Sequence, residues 1–292
     1  MKIAIFGRSI TDNNSEPIRL LFEQLNEYSI ELIIYEPFYE FLKQKTQIHG
    51  AVKTFTSHSD LDKDVDFMLS LGGDGTFLET LTYIRNSGIP ILGINTGRLG
   101  FLANVAKTEI NEAINALVHK KFSIETRSLL CLTDSGNLFG EVNYALNELT
   151  ILKKDSSSMI TIHTYINGDY LNSYFADGLI IATPTGSTAY SLSCGGPLVM
   201  PGSQNFVITP IAPHNLNVRP LVISDNNVIK LKVEGRSSHY LASLDSRSEI
   251  IDSSVELTIK KADFSLNLIK LENQSFFNTI RNKLLWGLDK RN

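Results

Sequence analysis

Gly72-Gly73-Asp74-Gly75-Thr76 sets one carboxylate among glycines, after the apolar run Val65–Leu71 and ahead of a helix-like segment from Thr76 to Asn86. Glycines let a backbone approach a ligand closely. The first N–H groups and the positive dipole end of a helix suit a phosphate. A carboxylate beside a phosphate is repulsive unless it takes a proton from an attacking hydroxyl, or unless Mg2+ lies between the charges. Both arrangements amount to phosphoryl transfer. The bland alternative is a tight turn capped by Asp74. No Gly-x-x-x-x-Gly-Lys-Ser/Thr pattern occurs, so this is not a Walker-type loop, and the spacing is not the Gly-x-Gly-x-x-Gly of an ordinary dehydrogenase.

Further constellations lie downstream. Thr183-Pro184-Thr185-Gly186-Ser187-Thr188-Ala189-Tyr190 follows a strand-like run and offers hydroxyls, a glycine and a helix start. Such a set can hydrogen-bond a polyhydroxy or phosphate ligand, with Tyr190 placed to stack on a base. Taken alone it also reads as a Ser/Thr-rich turn capping a helix. Asn147-Glu148 puts an amide and a carboxylate inside an apolar stretch, a pair able to bracket a ribose diol. Adjacent strand residues face opposite ways, so both reach one ligand only at a bulge or strand end. Asp177-Gly178 is ambiguous in the same way between ligand contact and turn. The six histidines are scattered, with no pair at metal-ligand spacing, and His214 reads as a loop hydrogen-bonder.

The elements that must position these residues follow two grammars. Up to about Ser123, strand-like runs (Ile3–Phe6, Leu32–Tyr35, Val65–Leu71, Ile89–Ile94) alternate with amphipathic helices. One helix opens at Ser15 with Ile18, Leu21, Phe22 and Leu25 on one face, and another carries Ile110, Ala113, Ile114, Leu117 and Val118. This predicts a parallel sheet covered on both faces. Beyond Ser123, strand-like runs follow one another, with Asn167-Gly168 as a hairpin signal and Asp225-Asn226-Asn227 as a turn. The last segment returns to helix, with Phe277, Ile280, Leu284 and Leu285 at helical spacing. The expected division is an α/β domain from residues 1–123 plus 271–292, and a β-rich domain, 124–270.

Over 292 residues, 27 Lys+Arg stand against 31 Asp+Glu, a net charge of −4 that removes any general electrostatic case for nucleic acid or an anionic membrane. The apolar share of 42% supports a sizeable core and excludes a disordered chain. Cys131 and Cys194 stand in unrelated contexts, neither a disulfide framework nor a zinc pair. With no signal peptide and no apolar run of membrane-spanning length, a cytoplasmic setting is expected.

In combination these residues resemble the NAD kinase family, whose members draw on ATP or polyphosphate. The resemblance is carried in family order by Leu71–Thr76, Ile94–Leu102, Asn147-Glu148, Asp177-Gly178-Leu179 running to Thr183–Tyr190, Gly195-Gly196-Pro197, Pro213-His214 and Arg219-Pro220-Leu221. The glycine-aspartate motif alone is shared with lipid kinases and phosphofructokinases. The resemblance implies transfer of a phosphoryl group to the 2′-hydroxyl of the adenosine ribose of NAD, with a divalent cation, usually Mg2+. It implies Asp74 as proton acceptor, with Asp74 and Gly75 touching the dinucleotide and Asn147 and Glu148 holding ribose hydroxyls and the base region. It implies Asp177 as the residue receiving the nicotinamide carboxamide, from a neighbouring subunit. Thr185, Thr188, Ala189, Tyr190, Ser191, Leu192, Ser193 and Ala212 would line the dinucleotide pocket, and Arg247 sits where relatives often carry a polar contact residue.

The implied fold is a Rossmann-like parallel-sheet domain followed by a β-sandwich-like domain, with the C-terminal helix returning to the first, in homodimers or homotetramers. Two positions depart from the pattern: Glu79, where some relatives have a basic residue, and Phe175, where others have a charged one. Two alternatives stand beside this reading. One is a lipid or sugar kinase sharing the glycine-aspartate turn, and the other a non-catalytic NAD-binding regulator.

Overall fold

The computed structural model describes residues 1–8, 15–46, 48, 51–62, 64–97, 99–134, 136–154, 158–236, 239–272 and 274–286. They form two compact units, Met1–Thr126 with Leu266–Asn292, and Arg127–Ser265.

In the first unit, chain order is β1 (Lys2–Gly7), α1 (Ser15–Glu27), β2 (Glu31–Tyr35), α2 (Glu36–Leu42), β3 (Val52–Phe55), β4 (Phe67–Gly72), α3 (Asp74–Ile84), β5 (Ile91–Asn95), β6 (Val105–Ala106) and α4 (Ile110–Val118). The strands lie parallel in the order β3-β2-β1-β4-β5. Their middles are apolar on both faces because helices cover both sides, so β4 and β5 are buried at every position. The apolar faces of α1 (Ile18, Leu21, Phe22, Leu25) and α4 (Ile110, Ala113, Ile114, Leu117) join Ile3, Ile5, Leu69, Leu92 and Ile94 in one core cluster. The capping role expected of Ser15 lies outside the described side chains. Strand order reverses between β1 and β4, and the Gly72–Gly75 turn leaves the carboxyl end of β4 at that point. Open α/β sheets bind their ligands there.

The second unit is built from β7 (Phe122–Asp134), β8 (Tyr144–Ala145), β9 (Glu148–Lys153), β10 (Ile160–Ile166), β11 (Asp169–Ala176), β12 (Gly178–Ala182), α5 (Tyr190–Ser193), β13 (Asn205–Ile211), β14 (Leu221–Ser224), β15 (Ile229–Glu234), β16 (His239–Leu244), β17 (Arg247–Asp252) and β18 (Leu257–Leu271). The unit boundaries fall inside β7 and β18. One sheet runs β14-β13-β12-β9-β16-β17, and within this unit β11-β10-β15-β18 forms a second. Leu149, Ile151, Leu179, Ile181, Phe206 and Ile208 of the first sheet share a core with Ile160, Ile162, Tyr174, Leu231, Val233 and Ile259 of the other. That is sandwich packing. The hairpin between β10 and β11 turns through Asn167 and Gly168, whose φ of 52° and 91° match the turn chemistry of the sequence.

Three departures from the sequence expectation matter. The apolar stretch holding Asn147-Glu148 is not one strand but is broken at Leu146-Asn147, so Glu148 opens β9. The helix α3 starts at Asp74, not Thr76, which puts the carboxylate in its first turn. The last helix, α6 (Phe276–Leu284), belongs to the first unit but buries only Ile280 of its expected apolar face; Phe277 and Leu285 are exposed. Among the described residues no helix is long and apolar enough to cross a membrane.

Candidate functional site

In the first unit the site is the turn between β4 and α3. Asp74 is half-buried, with exposed Gly73 and Gly75 on either side. Its carboxylate points away from the turn and into the loop that follows β5. Oδ2 accepts the Phe101 N–H at 2.9 Å, and Oδ1 accepts those of Leu102 and Ala103, both at 3.0 Å. That loop is itself braced by the buried Asn95, whose Oδ1 accepts the Gly97 N–H and whose Nδ2 donates to the Ala103 carbonyl. Gly100 is what lets the carboxylate in, since a Cβ there would lie 1.9 Å from Oδ1. Three donors occupy three of about four acceptor positions on a carboxylate, leaving one, on Oδ2. The stretch Asn95–Ala103 is thus the second half of the Asp74 site, which the glycine pattern alone did not disclose. Arg98 lies outside the described residues.

In the second unit the break before β9 gives Asn147 and Glu148 the strand end that their spacing required. A partner that sequence reasoning missed holds the segment: Asp245, in the two-residue loop between β16 and β17. Its carboxylate accepts the Leu146, Asn147 and Glu148 N–H groups at 3.0, 2.8 and 3.3 Å, and its own N–H donates to the Glu148 carbonyl. Asp245 has φ 52°, a left-handed conformation that Asp tolerates better than most residues. Burial of the carboxyl pushes its pKa up against the pull of those donors.

Glu148 is buried, with Oε2 lacking any hydrogen-bond partner. Burial first, and the Asp245 carboxylate second, push its pKa up to about 8; the Tyr190 N–H acts in the other direction. At neutral pH the side chain is therefore mostly the protonated acid, both donor and acceptor. No described residue partners the Asn147 side-chain amide.

The threonine-rich motif docks on this segment. The Thr183 N–H donates to the Asn147 carbonyl at 2.8 Å, and the Thr183 hydroxyl donates to that of Leu146. Gly186 makes the contact possible, because a Cβ would fall 2.1 Å from the Asn147 carbonyl oxygen. Two motifs far apart in sequence are one structure.

The hydroxyls divide by task. Ser187 is buried and donates to the Pro184 carbonyl, and Ser191 pairs with Thr209 at 2.8 Å, so both serve the fold. Thr185 receives a hydrogen bond from Arg127, a buried cation on β7 that sequence reasoning also passed over. Thr188, Ala189, Tyr190, Leu192 and Ser193 retain exposure. Tyr190 lies close enough to the Cys194 thiol and Asp177 carboxylate that both add to the rise that burial causes in its pKa. Ala212, exposed at the end of β13, has φ 44°, a strained conformation that clusters at functional sites.

Models of known families match both parts of the chain: the ATP-NAD kinase N-terminal domain over residues 3–122 and the ATP-NAD kinase C-terminal domain over 146–271. The chain belongs to the NAD kinase family. It is 53% identical to the NAD kinase of Flavobacterium psychrophilum over the full length of both chains. A solved NAD kinase from Archaeoglobus fulgidus in complex with ATP superposes with a TM-score of 0.70 at 27% identity, covering 98% of each chain. The yeast NADH kinase complexed with NADH shares the fold, with a TM-score of 0.87 at 21% identity, over 99% of this chain and 88% of that one.

Within the NAD kinase pattern the two departing positions now have surroundings. Glu79 is bound by Arg8, whose Nε and Nη2 donate to the two carboxylate oxygens at 2.6 and 2.7 Å, so it adds no uncompensated negative charge beside the turn. Phe175 is exposed and stands edge-on to the His214 ring, 5.6 Å between centroids. Arg247 donates to the Val142 and Tyr144 carbonyls and lies over the Phe139 ring, so its guanidinium clamps the chain leading into Asn147.

Proposed function

We propose that this chain, a phosphotransferase of the NAD kinase family, carries the terminal phosphoryl group of ATP, or of polyphosphate, to the 2′-hydroxyl of the adenosine ribose of NAD. The observation that carries the reading is the Asp74 carboxylate, held by three backbone N–H groups with one acceptor position left. That position receives the hydroxyl proton as the ribose oxygen bonds to the γ-phosphorus and the bond to the leaving ADP oxygen breaks. The three N–H donors fix the carboxylate in place and leave its remaining lone pair on Oδ2 for the hydroxyl. Phosphoryl transfer asks mainly for positioning and charge neutralisation, so a well-placed carboxylate suffices.

Asn147 and protonated Glu148 offer donors and acceptors to the ribose hydroxyls and the base. On the second unit Thr185, Thr188, Tyr190 and Ser193 line the dinucleotide pocket, with Ala189, Leu192 and Ala212 as its wall and buried Ser191 bracing it through Thr209; on the first unit Gly75 offers close backbone approach. Arg247 acts through the 142–144 segment. Asp177 receives the nicotinamide carboxamide.

Among the described residues no three His, Cys, Asp or Glu side chains gather as a metal cage. A divalent ion would arrive on the donor's phosphates, in the usual manner of Mg2+, and would neutralise phosphate charge there. Exposed Tyr170, Phe175, Leu216 and Val222 on the second unit support a homodimer or homotetramer, and free thiols at Cys131 and Cys194 fit a cytoplasmic setting. Purified protein given NAD, ATP and Mg2+ should form NADP, read by an NADP-specific dehydrogenase. If neither ATP nor polyphosphate yields NADP, the reading is wrong.

A further inference from the structure

Asp177 is not alone. It immediately precedes β12, which pairs with β9 in the register Gly178↔Leu152, so the next cross-strand neighbours are Asp177 and Lys153. The Lys153 N–H donates to the Asp177 carbonyl at 3.0 Å, and its Nζ meets Asp177 Oδ1 at 2.6 Å. The side chains keep 23% and 34% of their surface exposed. An ion pair this open adds little to stability. What it does fix is charge: Oδ1 is taken and its charge balanced by an ammonium, while no described residue donates to Oδ2.

NAD and NADH differ at one place that a protein can read electrostatically. The oxidised nicotinamide ring is a cation, and the reduced ring is neutral. A lone carboxylate at the ring's carboxamide would favour the oxidised form, and a lone ammonium the reduced form.

We propose that Lys153 is a specificity-determining residue for the redox state of the dinucleotide, holding the charge at the nicotinamide end near zero so that NAD and NADH are accepted on similar terms. This rests on the reading of Asp177 as the nicotinamide contact. Both residues belong to one chain and adjoin across one ladder, so whichever subunit supplies Asp177 supplies Lys153 with it.

The test is a charge cycle read as the ratio of kcat/KM for NAD to that for NADH, with NADP and NADPH measured as products. Lys153→Met leaves the carboxylate unbalanced and should raise the ratio about three- to tenfold, the size expected for unit charges several ångströms apart in a wet site. Asp177→Asn leaves the ammonium unbalanced and should lower the ratio by a similar factor. The double variant should return near the wild-type ratio, and Lys153→Arg, which keeps the charge, should match wild type. A loss of packing alone would lower both kcat/KM values together and leave the ratio unmoved.

If Lys153→Met leaves the ratio unchanged while Asp177→Asn changes use of either dinucleotide, the Lys153 proposal falls and the Asp177 contact stands. If Asp177→Asn alters neither dinucleotide's KM nor the ratio, the Asp177 reading itself is wrong and the proposal falls with it. Should Lys153→Met fail to fold, the Asp177→Asn arm decides by itself, since an unmoved ratio there overturns the proposal.

Discussion

The two units use the same device for opposite ends. In the first, Asp74 reaches into a loop 27 to 29 residues further on and collects the N–H groups of Phe101, Leu102 and Ala103. In the second, Asp245 reaches back almost a hundred residues and collects those of Leu146, Asn147 and Glu148. At Asp74 the backbone holds the carboxylate, and in the proposed function the carboxylate is the reagent. At Asp245 the carboxylate is scaffold, and the backbone it grips carries Asn147 and Glu148, the side chains proposed to meet the ligand. What separates reagent from anchor is the side on which space is left open: exposed Gly73 and Gly75 flank Asp74, whereas the Asp245 carboxyl is enclosed and its pKa raised by that burial.

The largest expected effect splits the two. Asp74→Asn should lower kcat by about 10²–10⁴, the worth of a positioned base, with KM for NAD little changed. An amide must also aim its NH2 at one of the three N–H groups, so a lower melting temperature should accompany the loss. Asp245→Asn should do the reverse, raising KM for NAD about tenfold with kcat nearly intact, because an unsatisfied buried N–H costs about 1–3 kcal/mol and shifts the segment bearing Asn147 and Glu148. Steady-state kinetics on both variants decide the matter. Matching kcat losses would mean that Asp74 is an anchor too.

A second test separates the units by pH. The Glu148 carboxyl titrates at about 8 in the fold against 4.5 as the reference. Between those values the folded chain holds a proton that the unfolded chain has released, so stability falls as pH rises from about 4.5 and the loss is complete above about 8. Glu148→Gln cannot lose that proton. Denaturant melts at about pH 5 and about pH 8.5 should show the variant losing less stability by a few kcal/mol, at about 1.4 kcal/mol per unit of pKa difference. A gap between wild type and variant that stays constant with pH would remove Glu148 as a buried acid.

The same contrast explains how much was legible in the sequence. Asp74 could be found because glycine, strand and helix signals surround it within a few residues. The Rossmann-like alternation and the change to consecutive strands were visible through periodicity for the same local reason. Asp245 could not be found: in Leu244-Asp245-Ser246-Arg247 an Asp is ordinary hairpin chemistry, and its importance exists only once β16 lies against β9. Gly100 and Gly186 give no local sign of what they admit, yet each makes room for part of a distant residue, Asp74 and Asn147 respectively. The long strand β18 shows no clean alternation in the sequence, since Lys260, Lys261 and Asp263 interrupt the pattern. The helix α2 was missed because it begins at Glu36-Pro37 straight from β2, with no loop to announce it. Local signals name the candidates; the parts that hold them are set by pairing across the chain.

Arg247 gives the smallest expected effect and the finest cut. Its position suggested a ligand contact, but its guanidinium donates to the Val142 and Tyr144 carbonyls and lies 5.9 Å from the Phe139 ring centroid. As a brace it should matter through stability. Arg247→Met removes the donors to two carbonyls and should lower unfolding free energy by about 1–2 kcal/mol. KM for NAD should rise about two- to fivefold, with kcat unchanged, as the chain entering Asn147 loosens. Arg247→Gln reaches one carbonyl at best and should fall between. A residue that bound the dinucleotide directly would behave differently: its removal would raise KM at unchanged stability, and saturating NAD would stabilise the variant much less than wild type. Melts with and without NAD distinguish the two, because a brace lost from the free protein lowers both curves by nearly the same amount.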